Sequence, residues 1–173
     1  MKNIIKRILA VTLLSTNLAW AADYNVDEVR VYKTRHRMEM LFDGKVTKVY
    51  SVMLGRGGMG PKIKEGDKKV PEGKYLLDFK NPYSKFFKSI HITYPNRDDI
   101  ERARDLGVNP GGDIFVNGMP NYFSELQGIL DSETMAIAFP GIDWTAGCVA
   151  VSNKEMQEIW DNVEVPTPIT IFH

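Results

Sequence analysis

The sequence predicts a mainly β, single-domain protein with about two short helices. Short segments rich in β-branched and aromatic residues, bounded by Gly, Pro or Asn, recur along the chain. Two other stretches carry the capping residues and charge pattern of a helix. Residues 22–173 suffice for one hydrophobic core and are too few for two comfortable ones.

The first 21 residues have the pattern of an export signal. Lys2, Lys6 and Arg7 precede an apolar run from Ile8 to Trp20, and we expect cleavage after Ala21. Polar residues interrupt this run, which is shorter than the ~20 apolar residues that span a bilayer, so a retained membrane anchor is the less favoured alternative. We therefore expect an exported protein of the periplasm or cell envelope, with no integral membrane span after cleavage.

The charge of the mature chain excludes one class of partner. Three of the 22 basic residues and none of the 22 acidic ones lie in the signal, so residues 22–173 carry 19 basic and 22 acidic residues, a formal charge of −3. Nucleic-acid binding usually requires a basic face. We expect no nucleic-acid partner.

Eight strands are predicted in chain order. They are Glu28–Lys33, Met38–Phe42, Lys45–Tyr50, Lys74–Phe79, Ser89–Tyr94, Asp113–Asn117, Gly147–Val151 and Pro168–Phe172. Asp43-Gly44 between the second and third indicates a hairpin turn, so the chain is expected to begin as a β-meander. The glycine-rich segment 55–61 lacks the Gly-Lys-Ser/Thr of a phosphate-binding loop and is expected to be a surface loop.

Two helices are predicted between these strands. Asp98–Leu106 has acids in its first turn, arginines later and Gly107 as a stop. Ser152 and Glu155 form a capping box that opens the second helix. One face of that helix is expected to pack in the core, namely Met156, Ile159, Trp160 and Val163.

Cys148 is the only cysteine of the chain. With no disulfide partner within the chain, it is either a small buried apolar residue or a reactive thiol. Gly147 before it would let a substrate carbonyl approach closely. Backbone N–H groups around both residues would donate hydrogen bonds to the oxyanion that develops during acyl transfer. The residues alone leave both interpretations open.

Four segments, taken together, resemble the L,D-transpeptidase family of the YkuD fold. Asp143–Cys148 is similar to the Asp-Trp-Thr-x-Gly-Cys motif of an envelope branch of that family. Gly66–Tyr75, His91–Asn96 and Gly112–Gly118 resemble its other motifs in the same order. The resemblance runs from about Tyr32 to the end of the chain.

The resemblance implies a YkuD-like fold of a β-sandwich or mixed sheets, with Cys148 as the nucleophile. In this family the cysteine attacks a carbonyl of a peptidoglycan stem peptide, typically between a diamino acid and a terminal D-alanine. The acyl-enzyme then passes to an amine, as in a transpeptidase, or to water, as in a carboxypeptidase or amidase. The implied partners are stem peptides, or a protein attached to peptidoglycan; no metal or organic cofactor is implied.

The chain departs from the family pattern at two histidines, which are Asn117 and Ala146 here. An amide does not accept a thiol proton near neutral pH, so Asn117 is expected to orient or hydrogen-bond. His91 is the candidate replacement base, with a core or substrate-positioning role as the alternative. His36 is expected to be a solvated strand residue.

Further site residues are expected around the same motifs. Thr145 is expected to orient the site through its hydroxyl, and Gly118, Trp144 and Tyr94 are expected to contact substrate. The segment Met119–Ile142 is a candidate lid. The leading hypothesis is an active cysteine acyltransferase; the alternative is a catalytically impaired pseudoenzyme that binds muropeptides or an envelope partner.

Overall fold

The computed structural model describes residues 24–122 and 142–173, which form one mixed β-sheet with two helices. The predicted signal and most of the candidate lid lie outside the described residues. The strands are β1 Glu28–Tyr32, β2 Arg37–Phe42, β3 Lys45–Ser51, β4 Gly73–Asn81, β5 Ser89–Ile92, β6 Ile114–Asn117, β7 Val149–Ala150 and β8 Thr167–Phe172. The helices are α1 Arg97–Asp105 and α2 Asn153–Asn162. The predicted mainly β fold class is confirmed.

The strands lie in the order β3-β2-β1-β8-β4-β5-β6-β7. The pairs β1–β8 and β6–β7 are parallel, and the other neighbours are antiparallel. The predicted hairpin joins β2 to β3, where Asp43 and Gly44 both adopt positive φ (50° and 69°). Two consecutive positive φ angles are what a tight hairpin turn needs, and Asp-Gly supplies them at low cost.

The sheet curls so that its two ends meet, and this closure builds the site. After β3, the backbone of Met53 pairs with Ala150 of β7, and that of Gly55 pairs with Thr145. β3 forms one edge of the sheet, and the segment that follows it pairs with β7 at the other edge. Unpaired backbone groups of β7 are satisfied in this way.

Apolar side chains of the sheet and of α2 share one core. Met156, Ile159 and Val163 of α2 are buried, as the helical spacing predicted, and Trp160 packs partly buried beside them. The predicted capping box is present, since the Ser152 and Glu155 side chains each bond the other's backbone N–H. Neither helix within the described ranges is long and apolar enough to cross a membrane.

Helix α1 begins with a capping box that the sequence analysis missed. Asn96 accepts a hydrogen bond from the Asp99 N–H, and the Asp99 carboxylate accepts one from the Asn96 N–H. The helix therefore starts at Arg97, one residue earlier than predicted. Asp99 is buried, and the Tyr75 hydroxyl also donates to its carboxylate, at 2.9 Å.

All eight strands differ in length from their predictions, by one to three residues. β1 ends at Tyr32 because Lys33 begins a short 3-10 turn, and its buried ammonium donates to the Val70 carbonyl and the Glu72 carboxylate (both 2.9 Å). β7 contains only Val149–Ala150, because the residues before it form a tight turn. That turn carries Cys148.

Candidate active site

A cleft of about 580 Å³ opens where β6 and β7 lie side by side. Cys148, directly before β7, and Asn117, the last residue of β6, both line it. Aromatic residues form much of its wall, namely Tyr83, Phe86, Phe115 and Trp144. Across residues 24–122 and 142–173, no group of three His, Cys, Asp or Glu side chains is arranged to hold a metal ion.

Thr145 holds the turn that presents Cys148. Its hydroxyl donates to the Cys148 carbonyl (2.7 Å) and accepts a hydrogen bond from the Gly147 N–H (3.1 Å). Its own backbone donates to Leu54 O and accepts from Arg56 N–H, both at 3.0 Å. These contacts hold the turn together, and a role of Thr145 in orienting the site for reaction stays a prediction. The Gly147 N–H, already used inside the turn, is not free to receive an oxyanion in this conformation.

Gly147 is required by close packing of two backbone segments. Its φ is +130°, and a Cβ there would lie 2.9 Å from the Lys69 carbonyl oxygen. Any side chain would push the turn away from the segment that carries Lys69. A glycine before Cys148 therefore allows the turn itself, in addition to the substrate access expected from the sequence.

The surroundings of the Cys148 thiol favour its protonated form. Sγ donates to the Asp113 carbonyl at 3.8 Å. Burial raises the pKa of the Cys148 thiol, and the nearby Asp113 charge raises it further, while the Phe115 N–H and the Lys62 ammonium oppose the shift only in part. A thiolate is the reactive form of cysteine, so this thiol is weakly activated near neutral pH.

Asn117 stands where the resemblance noted in the sequence implies a histidine. Its side chain is buried and donates to the Gly118 carbonyl at 2.7 Å. β6 and β7 are parallel with Asn117 opposite Ala150, two residues beyond Cys148, and both Asn117 and Cys148 line the cleft. The amide thus shares the cleft with the thiol, without an atom that can accept its proton.

The structure does not bring His91 to the thiol. Its strand pairs with β6, but the side chain bonds the Asp78 carboxylate at 2.7 Å and packs on the Phe115 ring. β6 lies between His91 and Cys148, so two strand spacings, roughly 10 Å, separate their backbones. Direct proton transfer requires hydrogen-bonding contact or one bridging water. We therefore assign no proton transfer to His91.

The structure also leaves Tyr94 and Gly118 outside the residues that line the cleft. Tyr94 is buried, and its hydroxyl donates to the Pro110 carbonyl at 3.1 Å. Gly118 is buried too, where a Cβ would lie 2.7 Å from Asn153 Oδ1. These positions fit packing roles, and substrate contact by either residue stays a prediction.

Trp144 is the one of the three expected contact residues that lines the cleft. Its ring lies against Phe86, with centroids 5.8 Å apart, and it packs on a small buried cluster that includes Met53 and Met119. Its buried indole Nε1 has no hydrogen-bond partner among the described residues. Trp144 thus combines a packing surface with one wall of the cleft.

A contact between His36 and Asp143 was missed by the sequence analysis. The expectation that His36 is a solvated strand residue is wrong: it lies in a left-handed turn (φ 46°) and its Nε2 contacts the Asp143 carboxylate at 3.1 and 3.2 Å. Asp143 also accepts the Leu54 N–H at 2.7 Å. Because the two residues are 107 positions apart, no local sequence pattern indicates that they form a pair. It ties the start of the Cys148 turn to the far end of the sheet.

We expect His36→Ala to loosen that turn and to lower the free energy of unfolding by about 1 kcal/mol, the value of a typical hydrogen bond. His36→Gln is the matched control, because its amide can donate from a similar position and bears the same left-handed backbone cost. Urea unfolding and amide hydrogen exchange of residues 143–148 measure the two effects. Equal exchange in the alanine and glutamine variants would contradict the role of the His36 contact.

Comparison with known proteins places the chain in a family. A family model described as the L,D-transpeptidase catalytic domain (YkuD) matches residues 27–171. The protein YafK of Escherichia coli (strain K12) is 40% identical over 52 residues, which is 29% of this chain and 21% of that relative. The chain thus spans only a small part of this curated relative.

Solved structures give the same result for the fold. The helical cell shape determining protein Pgp2 of Campylobacter jejuni is 28% identical, with a TM-score of 0.58, over 87% of this chain and 48% of that one. An L,D-transpeptidase of Xylanimonas cellulosilytica shares the fold at 15% identity and a TM-score of 0.54, over 87% of this chain and 62% of that one. With the family model matching nearly all of the described sheet, this chain belongs to the family of YkuD-type L,D-transpeptidase catalytic domains.

Proposed function

We propose that this protein is a cysteine acyltransferase of the L,D-transpeptidase type that acts on peptidoglycan stem peptides. The observation that carries the proposal is Cys148, which lines an open cleft with several aromatic residues and is presented by a hydrogen-bonded turn. A buried structural cysteine needs no cleft. Family membership supplies the reaction class.

In the proposed reaction, the Cys148 sulfur forms a bond to the carbonyl carbon of the diamino acid in a stem peptide. The bond from that carbon to the nitrogen of the terminal D-amino acid then breaks, and the departing amine takes up a proton as the thiol proton is lost. An amine or water next attacks the thioester and releases Cys148. Thr145 and Gly147 contribute by holding the turn, and Trp144 contributes part of the wall.

The proposed setting follows from the substrate. Stem peptides, or a protein joined to them, would meet this chain in the cell envelope, after removal of the predicted signal 1–21. The likeness to Pgp2, a helical cell shape determining protein, supports a role in cell shape. No metal or organic cofactor takes part in the proposed reaction.

A second candidate function is binding of stem peptides without turnover. Asn117 favours it, because no imidazole lines the cleft: His36, His91 and His173 are the only histidines of the chain and are bonded to Asp143, Asp78 and Glu72. The thiol proton then has no imidazole acceptor among the described residues that line the cleft. Acylation of Cys148 would then be slow, and the function would be to bind a stem peptide in the cleft.

One experiment separates the two functions. The mature protein and its Cys148→Ala variant are incubated with tetrapeptide and crosslinked muropeptides, and both protein and products are followed by mass spectrometry. An acyl adduct on Cys148 and products that need Cys148 are expected for the enzyme, and product masses separate crosslinking from hydrolysis. Binding that survives in Cys148→Ala, with no product from the parent at any pH, would replace the enzyme by the binding protein.

A further inference from the structure

Asp113 combines an unusual backbone conformation with an exposed side chain beside the nucleophile. It lies directly before β6 in a left-handed conformation with φ +56°, and it lines the cleft together with Cys148. Gly111 and Gly112 precede it, so the chain uses glycine beside this position but not at it. A non-glycine residue held in this conformation is a reason to look for a function of its side chain.

The carboxylate of Asp113 has no partner among residues 24–122 and 142–173. Within the described part of the chain it forms no ion pair and accepts no hydrogen bond, although its backbone carbonyl accepts the Cys148 thiol. Its negative charge also helps to raise the pKa of that thiol. An unbalanced carboxylate at this place works against the nucleophile unless a cation from the ligand neutralises it.

Charges of the opposite sign line other parts of the same cleft. Arg56 adjoins Thr145 through its backbone, and Lys85 lies in the segment beside Phe86. Among residues 24–122 and 142–173, neither cation forms an ion pair. A cleft in which an acid and two bases have no ion-pair partner among the described residues is complementary to a ligand that carries an ammonium together with carboxylates.

We propose that Asp113 is a specificity-determining residue that binds the free side-chain ammonium of the diamino acid whose carbonyl Cys148 attacks. Arg56 and Lys85 pair with the carboxylates of the same peptide. The inference rests on the proposed function and names its substrate class: stem peptides whose side-chain amine is free are preferred over those in which it is acylated, as in a crosslink.

Binding of two synthetic tetrapeptides tests this, one with the side-chain amine free and one with it N-acetylated, by calorimetry on the mature parent protein. We expect the free amine to bind about tenfold more tightly, as a charge-assisted hydrogen bond predicts. Asp113→Asn should reduce this ratio to about one. Asparagine is nearly isosteric and tolerates the left-handed conformation, and unchanged thermal unfolding will show that the variant folds.

Asp105→Asn, which removes an exposed carboxylate on α1, is the matched control and should keep the tenfold ratio. Equal binding of both peptides by the parent, or an unchanged ratio in Asp113→Asn, would overturn recognition by Asp113 and leave the proposed function intact. Binding of neither peptide, together with no product from either, would instead overturn the proposed function.

Discussion

Replacing Asn117 by histidine is expected to raise the rate of acyl-enzyme formation at Cys148 by about 10²–10⁴-fold, the usual contribution of a general base. Asn117 faces the same cleft as the thiol from the neighbouring strand, so an imidazole on that strand can reach toward Sγ. A nearby imidazolium would also stabilise the thiolate, which burial disfavours in the parent protein.

Two measurements check this gain of function. The rate of acylation by a tetrapeptide gives the catalytic effect, and the pH dependence of Cys148 alkylation by iodoacetamide reports the ionisation of the thiol. Alkylation of the parent should rise only at alkaline pH, because its thiol pKa is raised, and that of Asn117→His should rise at lower pH.

Asn117→Gln is the control for side-chain size, since it enlarges the residue without adding a base. If Asn117→His behaves like Asn117→Gln in both assays, the missing histidine is not what limits Cys148. Adding Cys148→Ala to Asn117→His should remove all acylation, which confirms that the gain acts through the thiol.

Features set by neighbouring residues could be predicted from the sequence. The Asp43-Gly44 hairpin and the Ser152 cap of α2 depend on contacts within a few residues, and both were found as expected. The same is true of the buried face of α2. Local conformational preferences suffice to predict an element where its turn residues and its apolar spacing indicate the same structure.

Features that join distant segments could not be predicted in this way. The position of β8 between β1 and β4, the inward-facing Lys33 and the His36–Asp143 contact all depend on how the sheet curls. The sequence motifs identify Cys148 and Asn117 as candidates because they lie within matched segments. They do not show that His91 is separated from the thiol by a strand, because that requires the register of β5, β6 and β7.

The carboxylate of Asp67 is the acceptor for several hydrogen bonds from the segment around it. Its carboxylate accepts the Ile63 N–H at 2.8 Å, the Lys62 ammonium at 2.9 Å and the Lys64 and Lys69 N–H groups at 3.1 Å. Burial alone would raise the pKa of Asp67, but these donors outweigh it and lower the pKa from 3.8 to about 2. The carboxylate thus fixes the segment whose Lys69 carbonyl packs against the Cys148 turn.

We expect Asp67→Asn to lower the free energy of unfolding at pH 7 by about 2 kcal/mol, the value of a pKa shift of nearly two units. The side chain is only 10% exposed, so solvent screening reduces this little. Because the folded pKa lies below the unfolded value, the stabilisation is present above about pH 4 and is lost as the pH falls toward about 2.

The difference in free energy of unfolding between the parent and Asp67→Asn, measured in urea, should therefore shrink as the pH is lowered from 7 to about 2. The control is Asp105→Asn, which removes an exposed carboxylate and should match the parent at every pH. Loss of the carboxylate also leaves the buried Lys62 ammonium without its partner. Hydrogen exchange at Gly147 and Cys148 should then increase, because their turn packs against this segment. A difference that stays constant with pH would mean that Asp67 acts through packing alone and that its hydrogen-bonded charge does not stabilise the fold.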